Sequence, residues 1–273
     1  MQFHTPTIAG LIKAAIQAAK ARFELLVLLG LLAGIGSSIV YAPAVAVLEG
    51  LIEIQQETGT PDEKSAEFAA AFNDGASILL LGHLAATAVS TFLLVPFARA
   101  SAPGQLVPSA GGLKAFLIRG LRSFLHMVAV NGITILVGLF VLSLTAGLAL
   151  ALGPLANALA MVGGGVVIWM SIVLTSTAHL AIAAEARDRR ETLPSAFMRA
   201  RLFMVPIAAS LGLLFLIAAI FYLVIGNLAL SLVPESFEPR MGLIVSGFVV
   251  YLTSALHVAA LYQVPDFRDL RPN

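Results

Sequence analysis

Apolar residues along this chain run unbroken by charge through five windows. They cover 25–48 between Glu24 and Glu49, 75–98 between Asp74 and Arg99, 123–184 between Arg122 and Glu185, 202–234 between Arg201 and Glu235, and 241–265 between Arg240 and Asp266. About 20 apolar residues, each rising about 1.5 Å in a helix, cross a hydrocarbon core of about 30 Å. The third window is long enough for two crossings, and Gly153-Pro154 supplies a turn near its middle. The pattern therefore predicts six spans, at about 25–47, 76–97, 126–150, 157–183, 205–230 and 242–263. The apolar stretches are continuous rather than alternating, so helices satisfy the backbone inside lipid and a β-barrel is excluded. The fold class is all-α: one polytopic membrane domain, 1–273, with six transmembrane helices paired in three hairpins.

Composition agrees. Of 273 residues 59% are apolar and 11% charged, against about 25% charged in soluble domains. A net charge of +1 gives no bulk attraction to nucleic acid. The absence of cysteine removes disulfides, thiol catalysis and thiolate metal sites. What matters is where the charges sit. Every Lys and Arg except Lys64 and Arg240 falls on one side of the predicted spans, and the first loop of the other side carries Glu49, Glu53, Glu57, Asp62, Glu63, Glu67 and Asp74. The positive-inside rule then places both termini in the cytoplasm and the acidic loop, about 49–74, outside. The basic start and the small residues Ala44-Val45-Ala46 also have the form of a cleavable signal, but the segment exceeds the usual length, and the first span is expected to stay attached.

Three times a short basic amphipathic segment leads into a span, at about 6–23, 108–124 and 193–203. In each, apolar residues recur at three- and four-residue spacing while Lys and Arg take the other face, the pattern of a helix lying in the membrane interface. The repeat unit is an interfacial helix followed by a helical hairpin. Lys13, Lys20, Arg22, Lys114, Arg119, Arg122, Arg199 and Arg201 are the candidates for binding lipid headgroups or a partner. Each is worth about 1 kcal/mol near an anionic surface. A plainer use of the same residues is to fix topology.

The stretch Thr177-Ala178-His179-Leu180-Ala181, Glu185-Ala186-Arg187-Asp188, Leu193-Pro194-Ser195-Ala196-Phe197-Met198-Arg199-Ala200-Arg201 and Val205-Pro206-Ile207 resembles a group of bacterial integral-membrane proteins. That group includes the YciC-like inner-membrane proteins and the membrane domain attached to some glycerophosphoryl diester phosphodiesterases. In residues the resemblance is confined to 177–206; in architecture it extends along nearly the whole chain. It implies a bacterial inner-membrane protein with a role in membrane lipid or envelope homeostasis. It carries over no catalytic residue, cofactor or metal.

Chemistry inside a helical bundle leaves ionisable groups in the spans, because a buried charge costs a few kcal/mol. No Asp, Glu, Lys or Arg lies well inside any predicted span, which argues against a proton-coupled transporter, an aspartyl protease and a carboxylate metal site. His83 falls toward the outer side, His179 and His257 toward the inner, so a three-histidine site is not expected. His179, His257 and Asn131 are the candidate polar residues of a cavity, and interhelical hydrogen bonding is the plainer role of such groups. Gly163-Gly164-Gly165 suits close helix packing or, alternatively, an unwound substrate-binding segment. Neither a Walker lysine pattern nor a Gly-x-Ser-x-Gly elbow occurs. The chain thus reads as a non-enzymatic inner-membrane protein that interacts with or modulates lipids. Anionic phospholipid is its expected partner, a membrane protein a further one, with neither cofactor nor nucleic acid. The alternatives are a small-molecule transporter or channel and an accessory subunit of a larger complex.

Overall fold

A computed structural model describes residues 6–58, 66–102, 112–152 and 155–264. Among these every regular element is helical: α1 (Ile8–Ala21), α2 (Phe23–Thr58), α3 (Ala66–Ser101), α4 (Gly112–Leu152), α5 (Leu155–Ala186), α6 (Leu193–Ala200), α7 (Met204–Phe221), α8 (Asn227–Ser231) and α9 (Glu238–Ala260). Six stretches are long and apolar enough to cross a membrane: Phe23–Val47, Gly75–Ser101, Gly112–Thr145, Ala158–Ala186, Leu193–Ser231 and Glu238–Gln263. The molecule is a multi-pass membrane protein. Each long helix packs on the next, α2 on α3, α3 on α4, α4 on α5, α5 on α7 and α7 on α9, and α9 closes the ring against α2.

The basic segments take three different forms. The first is a separate helix, α1, which starts on the Thr7 hydroxyl accepting from the Gly10 N–H and ends where Arg22 leaves the helical region at φ −135°, ψ 34°. Its Leu11, Ala14 and Ala15 are buried against the bundle rather than laid on lipid. The second runs on into its span: from Gly112 the basic segment of 108–124 is the start of α4, with no break before the span. Nothing at Gly120 interrupts it, because the Phe92 ring sits where a side chain would be and the backbone stays helical. Residues 108–111 lie outside the described residues. The third is α6, opened by a capping box between Thr192 and Ser195. It gives way through a 3-10 turn at Arg201–Phe203 to α7, where Pro206 sits in the first turn, a position whose N–H needs no helical partner.

The 49–74 segment is also largely helix, since α2 continues to Thr58 and α3 begins at Ala66; 59–65 lie outside the described residues. Gly153-Pro154 lies outside them too, between the end of α4 and the start of α5. At 41 residues α4 measures about 60 Å, twice the hydrocarbon thickness, so it runs well past the membrane.

Burial is uneven along the bundle axis. Near the end where α3 and α5 finish and α4 starts, here the basic end, Leu94, Phe97, Leu180, Ile182, Ile207, Tyr251, Val258 and Leu261 form a continuous core. Tyr251 donates to Leu93 O at 3.1 Å and Tyr262 to Ala98 O at 2.5 Å, tying α9 and its 3-10 extension to α3. Toward the other end α4 and α5 pack on each other but leave Leu136, Phe140, Leu142, Met161, Ile168 and Trp169 exposed. Bundles in lipid expose such apolar faces without cost, since acyl chains are as apolar as leucine.

Candidate functional site

Two polar regions sit along this axis. The first is an ion-pair cluster at the basic end. Helix α5 closes with Arg189 N–H bonding Ala184 O and Asp188 N–H bonding Glu185 O, a Schellman pattern. The left-handed position that glycine usually takes is held by Asp188, at φ 62°. That conformation costs a residue with a side chain about 1 kcal/mol, and here it aims the carboxylate at two arginines. Arg99, fully buried, donates to Asp188 Oδ2 at 3.0 Å and to Ala186 O at 2.7 Å. Arg119 donates through Nε to Asp188 Oδ1 at 2.7 Å. Partial burial pushes the Asp188 carboxyl up, but the hydrogen bonds and charges of Arg99 and Arg119 outweigh this and hold it below its ordinary value. Arg122 pairs with buried Glu185 at 3.4 Å, Arg199 with Glu191 at 2.5 Å, and the Arg187 guanidinium lies 4.1 Å from the centre of the Tyr262 ring.

This cluster changes the reading of the basic candidates. Arg119, Arg122 and Arg199, expected to meet lipid headgroups, are each ion-paired within the chain. Carboxylates of α5 and of the turn after it stand within reach, and a planar guanidinium takes them in preference to water. Lys13, Lys20, Lys114 and Arg201 are exposed. Arg22 donates to Ala100 O at 3.0 Å and lines a cleft of about 330 Å³ with Gln17, Ser101, Tyr262 and Gln263.

The second region is a cavity of about 340 Å³ inside the ring of spans. All six spans contribute: Ser37 and Tyr41 from α2; His83, Thr87, Ser90 and Thr91 from α3; Asn131 from α4; Thr175 and His179 from α5; Phe215 from α7; Ser246, Tyr251 and Ser254 from α9. Among the described residues no Asp, Glu, Lys or Arg lines it. Its depth follows from helix rise. From Arg119 in the cluster to Asn131 along α4 is about 18 Å, which brings the cavity to the middle of a hydrocarbon core of about 30 Å.

Two histidine arrangements organise this cavity. His83 lies between Asn131, whose Nδ2 is 3.1 Å from its Nε2, and Tyr41, whose hydroxyl is 3.1 Å from its Nδ1. With the amide so oriented, Asn131 donates to Nε2, and the neutral ring donates from Nδ1–H to the Tyr41 oxygen. The Tyr41 proton is then left to point elsewhere. His179 and His257, both completely buried, stand Nδ1 to Nδ1 at 3.0 Å. His257 Nε2 lies 3.1 Å from Ile207 O and must donate to it, because a carbonyl only accepts. In the uncharged pair, the state favoured where no carboxylate is at hand, His257 Nδ1 is therefore an acceptor and His179 Nδ1–H its donor. The proton count leaves His179 Nε2 with a bare lone pair, and among the described residues that atom meets no partner.

His179 and Asn131 line one cavity, whereas His257 is not among the residues lining it and stands behind His179, fixing its tautomer. His83 bonds to neither of the other histidines, yet it lines the same space as His179. Tyr41, Ser37 and Ser246 are not singled out by sequence. The available signal was spacing, with Ser37 and Tyr41 four apart and Ser246 and Ser254 eight apart, each a polar stripe on one helix face. Of the glycine run, Gly163 packs against Val141, Gly164 and Gly165 meet nothing within 4 Å among the described residues, and α5 stays helical throughout, so no unwound segment forms there.

Fold and site define the class: a multi-pass α-helical membrane protein with an uncharged polar cavity at mid-depth. Compared with known proteins, the chain matches no family model, no curated protein and no solved structure.

Proposed function

We propose that this chain is a bacterial inner-membrane protein, with its basic end and both termini in the cytoplasm, that binds a membrane amphiphile in its central cavity and catalyses no reaction on it. One observation carries the reading. The polar cavity adjoins an apolar groove of about 360 Å³ between α7 and α9, the two sharing Phe215, Ser246 and Val250 as walls. The groove continues along Ala218, Ala219, Tyr222, Leu223, Val249 and Thr253. A polar chamber joined to an apolar slot has the shape of a headgroup and its chain. Phe215, Leu223 and Val250 are exposed, so the slot faces acyl chains.

Two further features support the reading. Tyr222–Gly226 forms a π-helical turn beside the groove, an irregularity that recurs at functional sites. Toward the basic end the cavity is backed by the His179–His257 pair, Tyr251 and the ion-pair cluster, an arrangement suited to holding a ligand rather than passing one through. The resemblance to membrane-lipid-associated proteins points the same way. The lipid-interacting role expected from the basic segments is kept, but its site moves to the interior of the bundle.

The test is photolabelling of the full chain in phosphatidylcholine nanodiscs with an uncharged alkyl amphiphile carrying a diazirine. Label is expected on peptides containing Phe215–Leu223 and Ser246–Val250, and Ser246→Trp, which fills the junction of the two spaces, is expected to abolish it. Label spread over Leu136, Phe140 and Trp169, and unchanged by Ser246→Trp, overturns the reading.

A further inference from the structure

We infer that the ligand of the central cavity is an uncharged lipid with a free hydroxyl head, of the glycerol or sugar kind, and that His179 Nε2 accepts a hydrogen bond from that hydroxyl. This rests on the amphiphile reading above and deepens it. The starting point is a buried acceptor on a residue of the cavity wall, His179 Nε2, which has no partner among the described residues. His257 occupies the Nδ1 side of His179, and its own Nε2–H is fixed on Ile207 O. A buried acceptor without a donor is costly, and a ligand that supplies the donor recovers that cost.

A second polar contact faces the same space with the opposite sense. With His83 Nδ1–H filling a lone pair of the Tyr41 oxygen, the phenolic proton is free to donate. The cavity therefore asks for a donor at His179 and offers one at Tyr41. A hydroxyl group both donates and accepts, and a head with two of them serves both positions. An ester carbonyl or a quinone carbonyl only accepts and leaves His179 unmet. Headgroup charge is selected against as well. Among the described residues the lining holds no Lys or Arg to meet a phosphate and no Asp or Glu to meet an ammonium, and an unpaired charge taken from water into such a site is strongly disfavoured.

The experiment uses the photolabelled full chain in phosphatidylcholine nanodiscs, with three unlabelled competitors: 1,2-dioleoylglycerol, its 3-O-methyl ether, and dioleoyl phosphatidylglycerol. Dioleoylglycerol is expected to displace the label at about tenfold lower mole fraction than the ether, the loss of one hydrogen bond to a buried acceptor. Phosphatidylglycerol is expected to compete no better than the ether. His179→Asn keeps an N–H for His257 but has no atom at the Nε2 position, and the ratio between dioleoylglycerol and its ether is expected to fall to about one in it, at whatever level it labels. Equal displacement by dioleoylglycerol and its ether in the unsubstituted protein overturns the hydroxyl assignment while cavity binding stands; this comparison needs no variant to fold. Competition by phosphatidylglycerol as strong as by dioleoylglycerol overturns the uncharged head. A preference that survives in His179→Asn overturns the role of His179. Absence of cavity labelling overturns the amphiphile reading and this one together.

Discussion

Asp188→Asn is expected to destabilise the protein by about 2 kcal/mol, the first of two large effects that the structure predicts. Asparagine tolerates the left-handed backbone at φ 62° that Asp188 adopts, so the Schellman turn is kept and the loss reports the charge alone. Removing one partner of a fully buried pair costs about 3–5 kcal/mol. Arg99 is buried to that degree, but the Asp188 side chain is 50% exposed, and Arg99 keeps its bond to Ala186 O, so a smaller value is expected. The check is the melting temperature of purified protein at two pH values. The folded carboxyl is held below its unfolded value of 3.8. Its contribution is therefore fully present above about pH 4 and is lost as pH falls through the folded value. Asp188→Asn should melt well below the unsubstituted protein at neutral pH, and the gap should narrow in acid. A gap that holds constant below pH about 4 would show that the aspartate acts through the backbone turn and not through its charge.

The spans were legible because lipid imposes one rule over a long stretch, and five apolar windows bounded by Glu24, Arg99, Arg122, Glu185, Arg201 and their counterparts leave little freedom for anything but six spans. What was not legible depended on which helix faces meet. Arg119 and Arg122 read as a basic amphipathic face until α5 brings Asp188 and Glu185 to them from more than sixty residues away. The His179–His257 pair joins residues 78 apart, and no local pattern encodes that the two rings face each other. The second basic segment merges with α4 because a membrane span and an amphipathic helix share one backbone, and only a break such as that at Arg22 or before Pro206 separates them. Glycine gives the sharpest case. The run at 163–165 draws the eye, but only one of its three members touches a neighbouring helix.

The glycines that set the architecture are elsewhere, and Gly34→Ala is expected to have the largest effect of any single methyl added to this chain. An added Cβ at Gly34 would lie 2.4 Å from Ile244 O, and one at Gly247 would lie 3.0 Å from the Gly34 Cα. These are backbone contacts, so no side-chain rotation relieves them, and α2 and α9 must move apart. Overpacking costs about 1–3 kcal/mol where side chains yield, and here the upper end, about 3 kcal/mol, is expected. The contrast with two other glycines isolates the cause. Gly120→Ala meets the Phe92 ring at 2.4 Å, a side chain able to shift, and should cost less, while Gly164→Ala meets nothing and should leave the melting temperature unchanged or raised, since alanine favours the helix. Separation of α2 from α9 also has a functional reading, because Ser37, Tyr41, Gly247 and Tyr251 of this same crossing wall the cavity. Gly34→Ala should therefore lose cavity photolabelling at temperatures where the protein is still folded, and Gly164→Ala should keep it. If Gly34→Ala melts with the unsubstituted protein and labels as strongly, the α2–α9 crossing is not the contact that holds the cavity in shape.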